Sequence, residues 1–572
     1  MVRSALVGEC LVAGSGTGDV LFSDVPLSFM GGVDPVTGVV TDIHHPLRGT
    51  SVSGRVLAIP SGRGSCSGSG VIVEMLSYGS APAALVFEHH EAILTLGVVI
   101  SRELFGHDIP VVRLPGDAFA ALRDAGAATV TDGAVHPVGS APPPVPERPP
   151  VEVRLSGADE RLLAGEHGEG SRTAMRIVLE AARLEGATEL VDVEMGHIDG
   201  CFYQGPASLA LVRRLAATGS TVRIPTTTNA LKVDRRRWRD LGVSPDLGEP
   251  SDQLADALLA LGVQPSYTCA PYLLATRPAF AQQIAWAESN AVVYANSVLG
   301  ARTMKYPDYL DLLVALTGRA PGTSTHLPLA RRATVRVDVA DVAADVDDAF
   351  YPALGYLVGT LAPQEIPVLT GLDRLGPTSD DLKAFGAAFA TTSAAPMFHV
   401  AGVTPEAATV DDATGGLPVP VLTVDRADLA AVWAELSSAT ADEVDLVALG
   451  NPHFSLTECA ALAALCEGRR AADGVSLVVT CGRDVFEQAR AAGHVAAVER
   501  FGGRFLNDTC WCFLNAPVVP SSDAAIVTSS GKYAHYGPAE VGRGAYLRNL
   551  RDCVESAVTG RIAASTSRWA TG

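Results

Sequence analysis

From residue 154 onward the apolar residues follow two alternating rhythms. In "SRTAMRIVLEAARLEGA" (171–187) they recur at intervals of three and four, which predicts an amphipathic helix closed by Gly186. The next run, "ELVDVEM" (189–195), is short and apolar and reads as a buried strand. "ASLALVRRLAATGS" (207–220) predicts a helix ended by Gly219, and "TVRIPTTTN" (221–229) a strand leaving into a polar loop. "SDQLADALLALGV" (251–263) and "PSYTCAPYLL" (265–274) repeat the succession. Towards the C-terminus, 427–455 and 460–493 again read helix, strand, loop. This alternation predicts α/β units on largely parallel sheets. The polar motif in each unit follows the strand, and the carboxyl ends of parallel strands are where ligands bind.

The N-terminal part has a different texture. "GRVLAIP", "AALVFE" and "IPVVRL" read as strands and "HEAILTLGVVISRELF" as a helix, among many Gly and turn signals. A proline-rich segment, 136–153, lacks either periodicity and reads as a semi-rigid extended spacer. The chain therefore divides into a small β-rich domain (1–135), a linker (136–153) and a large α/β region of several subdomains (154–572).

Charge narrows the partners. With 43 basic and 63 acidic residues the net charge is −20, which argues against nucleic acid and leaves room for a small molecule. No apolar run reaches membrane-span length and no secretory signal is evident, so the expectation is a cytoplasmic protein without a membrane partner. The ten cysteines then read as thiols or metal ligands rather than as a disulfide framework. No CxxC pair is present, and Cys510-Trp511-Cys512 is the closest spacing.

Five polar motifs stand at or near predicted strand exits: "MGHIDGCFYQG", "IPTTTN", "YTCAPY", "GNPHFSLTE" and "FLNDTCWC". Any one of them also reads as a satisfied core or turn residue; five in one region point to a shared site. Cys269 and Cys510, in short polar loops, and Cys481, at a strand-to-Gly turn, are the metal candidates, and thiolates suit iron–sulfur clusters or zinc. In the small domain, "PSGRGSCSGSG" (60–70) combines Arg63, four hydroxyls, a thiol and a free backbone directly before an apolar run. It reads equally as a mobile Gly/Ser loop.

Over nearly the whole chain these motifs resemble the aconitase X family. The resemblance is carried by the segment 30–69, by "GEHGEGSRTAMRI", "HIDGCFY", "PTTTNALKVD", "YTCAPYL", "ESNAVVYANSVLGART", "FHVAGVTPEA", "GNPHFSLTE", "NDTC" and "SGKYAHY", in family order. It implies an aconitase-like multi-domain α/β body with a small N-terminal swivelling domain, and an iron–sulfur-dependent dehydratase. The fused chain is similar to the branch acting on cis-3-hydroxy-L-proline, which needs no separate small subunit. The alternatives are mevalonate 5-phosphate or another small hydroxy acid as substrate, or a binding protein that has lost its cluster.

The resemblance matches Ser65 to the family's catalytic serine. A serine alkoxide is strong enough to take a Cα proton, and Arg63 with the amides of Gly64, Cys66 and Ser67 could stabilise it. Lys532 is implied to hold the substrate carboxylate or assist a proton. His197, Gly200, Asn229, Glu166, His167 and His453 are implied around the substrate, and Asp199 would attract a ring ammonium while repelling a phosphate. Asn451 stands where the other branch has a cluster cysteine. The expected cofactor is accordingly a 2Fe-2S cluster on Cys269, Cys510 and Cys481.

Overall fold

The computed structural model describes residues 5–145, 151–339 and 346–570. The middle of the proline-rich segment, 146–150, lies outside the described residues.

The N-terminal domain is built on an eight-stranded mixed sheet. Its centre is parallel: Val20–Phe22 pairs with Val56–Ala58, Val56–Ile59 with Ala84–Phe87, and Leu85–Phe87 with Val111–Arg113. "VLAI" and "ALVF" are buried along their whole length, because helices Gly68–Tyr78 and Ile93–Phe105 belong to the same domain and cover what would otherwise be an open face. The 60–70 segment is the turn from strand Val56–Ile59 into helix Gly68–Tyr78, so the apolar run after it is helical.

Among the described residues, the rest of the chain carries three parallel sheets. In the first, Gly196–Ile198 lies between Thr226–Thr228 and Ala285–Trp286. In the second, four parallel strands run His399–Val400, Pro367–Thr370, Val335–Asp338, Val421–Thr423. In the third the order is Gly503–Leu506, Ser476–Thr480, Val444–Leu449, Ala525–Thr528, Ala545–Leu547. There the chain starts at the centre, builds outward, then returns to the other side of Val444–Leu449. That reversal opens a crevice at the carboxyl ends of Val444–Leu449 and Ala525–Thr528.

Two expectations shift. "ELVDVEM" contributes only Leu190–Asp192, paired antiparallel with Arg319–Pro321; the parallel strand comes one step later, at Gly196–Ile198. "PSYTCAPYLL" forms no strand. Pro265 and Pro271 lack backbone donors, Tyr267 takes φ 45°, and the segment closes in the 3-10 turn Pro271–Leu273.

Candidate active site

Three neighbouring strands of the first sheet each end in a polar residue. Asp199 follows Gly196–Ile198, Asn229 follows Thr226–Thr228, and Glu288 stands two residues beyond Ala285–Trp286. All three are buried and line one cavity. The third sheet supplies the opposite wall from the exits of Gly503–Leu506 and Ala525–Thr528: Cys510, Cys512 and Lys532. The N-terminal domain closes the cavity with Ser65 and Ser67.

The sulfur cluster is compact. The Cys269 and Cys510 Sγ atoms lie 3.6 Å apart. Cys510 also hydrogen-bonds Cys512, and the Asn451 Nδ2 donates to Cys512 Sγ at 3.1 Å. The bond to Cys269 pushes the Cys510 thiol well above its ordinary pKa, and the bond to Cys510, with burial, does the same to Cys512. Three thiols in contact beside a cavity form a sulfur donor set of the kind that holds a thiophilic metal cluster, so these residues fit an iron–sulfur cluster.

His453 lies with Cys269 and Cys510 in a group whose ligand atoms are within 4.8 Å of one another. Its ring is already committed: Nε2 donates to the Thr509 carbonyl at 2.8 Å and Nδ1 accepts from the Thr268 hydroxyl at 3.0 Å. Burial brings its pKa down to about 4, so it is neutral and pins the two cysteine loops to each other. Cys481 is not brought to this group. It lies in the hydrophobic core of the third sheet beside Cys459 and meets the Asn507 amide at 3.6 Å.

Lys532 donates to Glu288 Oε1 at 2.8 Å, with both groups buried. Burial works against the ammonium, but the Glu288 carboxylate outweighs it and holds the pKa well above the ordinary lysine value. Glu288 also caps helix Ser289–Tyr294 through the Ala291 amide at 2.9 Å.

The serine loop sits at the N-terminal end of helix Gly68–Tyr78, where backbone donors and the helix dipole favour negative charge. The Ser67 amide donates to Ser65 Oγ at 3.3 Å. Gly64 has φ +80°, and a Cβ there would stand 2.5 Å from the Tyr536 hydroxyl. Arg63 faces elsewhere: its Nη2 donates to Asp42 Oδ2 at 2.7 Å. Burial raises the Asp42 pKa, but Arg63 and the His44 amide outweigh it and hold the carboxyl below its usual range. A half-buried cation at the loop is Lys305, which donates to the carbonyls of Gly64 at 3.4 Å and Ser393 at 3.0 Å.

Of the remaining candidates, His197 is buried against Trp286, with Nδ1 2.8 Å from the Thr227 hydroxyl and a backbone hydrogen bond to Thr268. Burial lowers its pKa to about 3. Gly200 lies beneath Tyr309, whose ring a Cβ would approach to 3.0 Å. Glu166 and His167 are exposed in the turn between helices Gly157–Ala164 and Glu169–Leu184, away from the cavity.

Glu288, Cys512 and Lys305 were not singled out by sequence reasoning. An acid two residues past an apolar strand is the available signal for Glu288, and the CxC spacing for Cys512; nothing local marks Lys305.

With this architecture the chain is a member of the aconitase X family, whose swivel, first, second and third domains match residues 5–136, 152–328, 333–434 and 444–559. The cis-3-hydroxy-L-proline dehydratase of Pseudomonas aeruginosa is 51% identical, covering 99% of this chain and 98% of that protein. The enzyme of the same name from Hypocrea jecorina is 49% identical, covering 97% and 95%. The phosphomevalonate dehydratase large subunit of Methanothermobacter thermautotrophicus is more distant, 35% identical over 68% of this chain and 95% of that protein. The holo-form crystal structure of Thermococcus kodakaraensis aconitase X superposes with a TM-score of 0.64 at 29% identity, covering 71% of this chain and all of that one. No helix among the described residues is long and apolar enough to cross a membrane.

Proposed function

We propose that the chain is a hydro-lyase that converts cis-3-hydroxy-L-proline to Δ1-pyrroline-2-carboxylate and water. The observation that carries this reading is the junction of three domains at one cavity, with Ser65, Lys532 and the cysteine group on its walls. The near-full-length relatives named for this activity support it.

Ser65, at the helix N-terminus, takes the Cα proton, and the Ser67 amide holds its oxygen in place. Lys532, kept protonated by Glu288, faces the substrate carboxylate. Asp199 and Glu540 give the cavity a negative wall that suits a ring ammonium and repels a phosphate dianion, which disfavours mevalonate 5-phosphate. Cys269, Cys510 and Cys512 would hold a 2Fe-2S cluster, with Cys512 in place of Cys481 and with Asn451 hydrogen-bonded to it. Such a cluster supplies Lewis acidity for loss of the 3-hydroxyl. The first product is an enamine, which tautomerises to the imine, so no redox step is needed.

The test is anaerobic purification followed by an assay of imine formation. Ser65→Ala is expected to lower kcat by at least roughly 10³-fold while cluster absorption is retained. Wild type that carries iron but leaves this substrate untouched would sink the substrate assignment.

A further inference from the structure

Ser65 poses a problem that its neighbours do not solve in the expected way. An alkoxide needs somewhere for the hydroxyl proton to go, and Arg63 is occupied by Asp42. A continuous path leads off the oxygen in the other direction. Ser65 Oγ donates to Ser67 Oγ at 3.2 Å, and Ser67 Oγ donates to Asp199 Oδ2 at 3.4 Å.

We propose that Ser67 and Asp199 form a proton relay that ionises Ser65, so that the catalytic base is completed only when the N-terminal domain is seated on the first domain. This rests on the dehydratase reading above and moves Asp199 from direct contact with the substrate ammonium to the proton path of the serine. Ser67 lies 132 positions from Asp199 in sequence and on a different domain, so neither domain holds the relay alone.

Asp199 is held for this task on every side. Asn229 Nδ2 donates to its Oδ1 at 2.5 Å, and its own amide donates to Asp311 Oδ2 at 2.6 Å. Asp308 lies against its carboxyl, and the Asp308 amide donates to the Cys66 carbonyl at 3.3 Å, tying the acid pair to the serine loop. Of the groups facing Asp199, Glu288 acts on the raising side and Asn229, Lys532 and Asp308 on the lowering side, while the Asp311 carboxyl and the thiols of Cys66 and Cys201 are themselves raised by its charge. Burial, with Glu288, brings Asp199 up to about 7, a value suited to accepting and returning a proton near neutrality. Two adjacent buried carboxyls cannot both ionise, so the Asp199–Asp308 pair titrates as a unit.

The step balances. The Ser65 proton passes to Ser67 as the Ser67 proton passes to Asp199, leaving an alkoxide and a neutral Asp199. The alkoxide takes the Cα proton, the C–H pair becomes the double bond, and the C3–O pair departs with the hydroxyl. The hydroxyl leaves as water with the proton given back by the acid pair, and the enzyme returns to its starting state.

The holoenzyme, purified anaerobically, tests this. Ser67→Ala keeps the amide and removes the hydroxyl; the expected result is a fall in kcat of roughly 10²–10³-fold, with KM and cluster absorption unchanged. Ser67→Thr is expected to restore activity to within about tenfold. Asp199→Asn is expected to displace the acid limb of the kcat profile. Infrared difference titration of the substrate-free protein reads the protonated carboxyl without turnover. A band titrating near neutrality, lost in Asp199→Asn and shifted in Ser67→Ala, supports the relay. Ser67→Ala with kcat within about threefold of wild type, or a band indifferent to Ser67→Ala, overturns it. If that band behaves as expected but wild type does not dehydrate cis-3-hydroxy-L-proline, the substrate assignment fails and the relay stands.

Discussion

Cys481 and Cys512 look alike in the sequence: each is a cysteine just beyond an apolar strand. The structure separates them by direction, one into the core beside Cys459 and the other to the cavity beside Asn451. Cys512→Ala is therefore expected to lose most of the bound iron after anaerobic purification, whereas Cys481→Ala keeps it; iron content and visible absorption measure both. The same limit explains Arg63. Its partner Asp42 lies 21 residues away in a segment without regular periodicity, so the pairing left no mark on the local pattern. Asp199, Asn229 and Cys510 were legible because strand exits are legible, Cys269 only as a cysteine in a short polar loop, and the structure gathers all four at one cavity. Glu288 was hidden because an acid before "SNAVVY" reads as an ordinary helix cap, and it is one, through a single oxygen. Its other oxygen faces Lys532.

The buried acids belong to elements as much as to residues. Asp199 ends a strand, Asp308 precedes helix Leu310–Thr317, and Asp311 lies in that helix's first turn. Burial raises both Asp199 and Asp311 to about 7. An acid with a raised folded pKa makes the folded state hold protons that the unfolded chain has released. The stability it contributes is full below the unfolded carboxylate pKa and is lost as pH rises through about 7. The thermal midpoint is thus expected to fall between about pH 5 and about pH 7 from this cluster, and less steeply in Asp199→Asn; calorimetry across that range measures the slope. Helix Gly68–Tyr78 shows a second long-range debt between elements. Its buried Glu74 accepts from the amides of Ala207 at 3.1 Å and Ser208 at 2.6 Å, capping helix Pro206–Ala216 of another domain. Glu74→Ala leaves those donors unmet, at a cost of about 1–3 kcal/mol. A lower thermal midpoint than wild type, read by calorimetry, is the expected outcome.

At the scale of the whole molecule, the alternation of helices and strands was enough to indicate parallel sheets, and the third sheet follows it closely. The first sheet was harder to read. Its strands are two or three residues long, and such runs are too short to carry a period of their own. What no local pattern contains is the meeting of three domains, through Ser67 with Asp199, Glu74 with Ser208, and Lys305 with Gly64 and Ser393. Those contacts join segments far apart in one continuous polypeptide. Because Glu74 and its helix are covalently joined to the body that they cap, their encounter is intramolecular, at an effective concentration on the order of millimolar. Assembly of the cavity then owes nothing to how much protein is present. Turnover per molecule is expected to stay constant as the enzyme is diluted to nanomolar levels, where a two-chain arrangement held by the same contacts would begin to come apart.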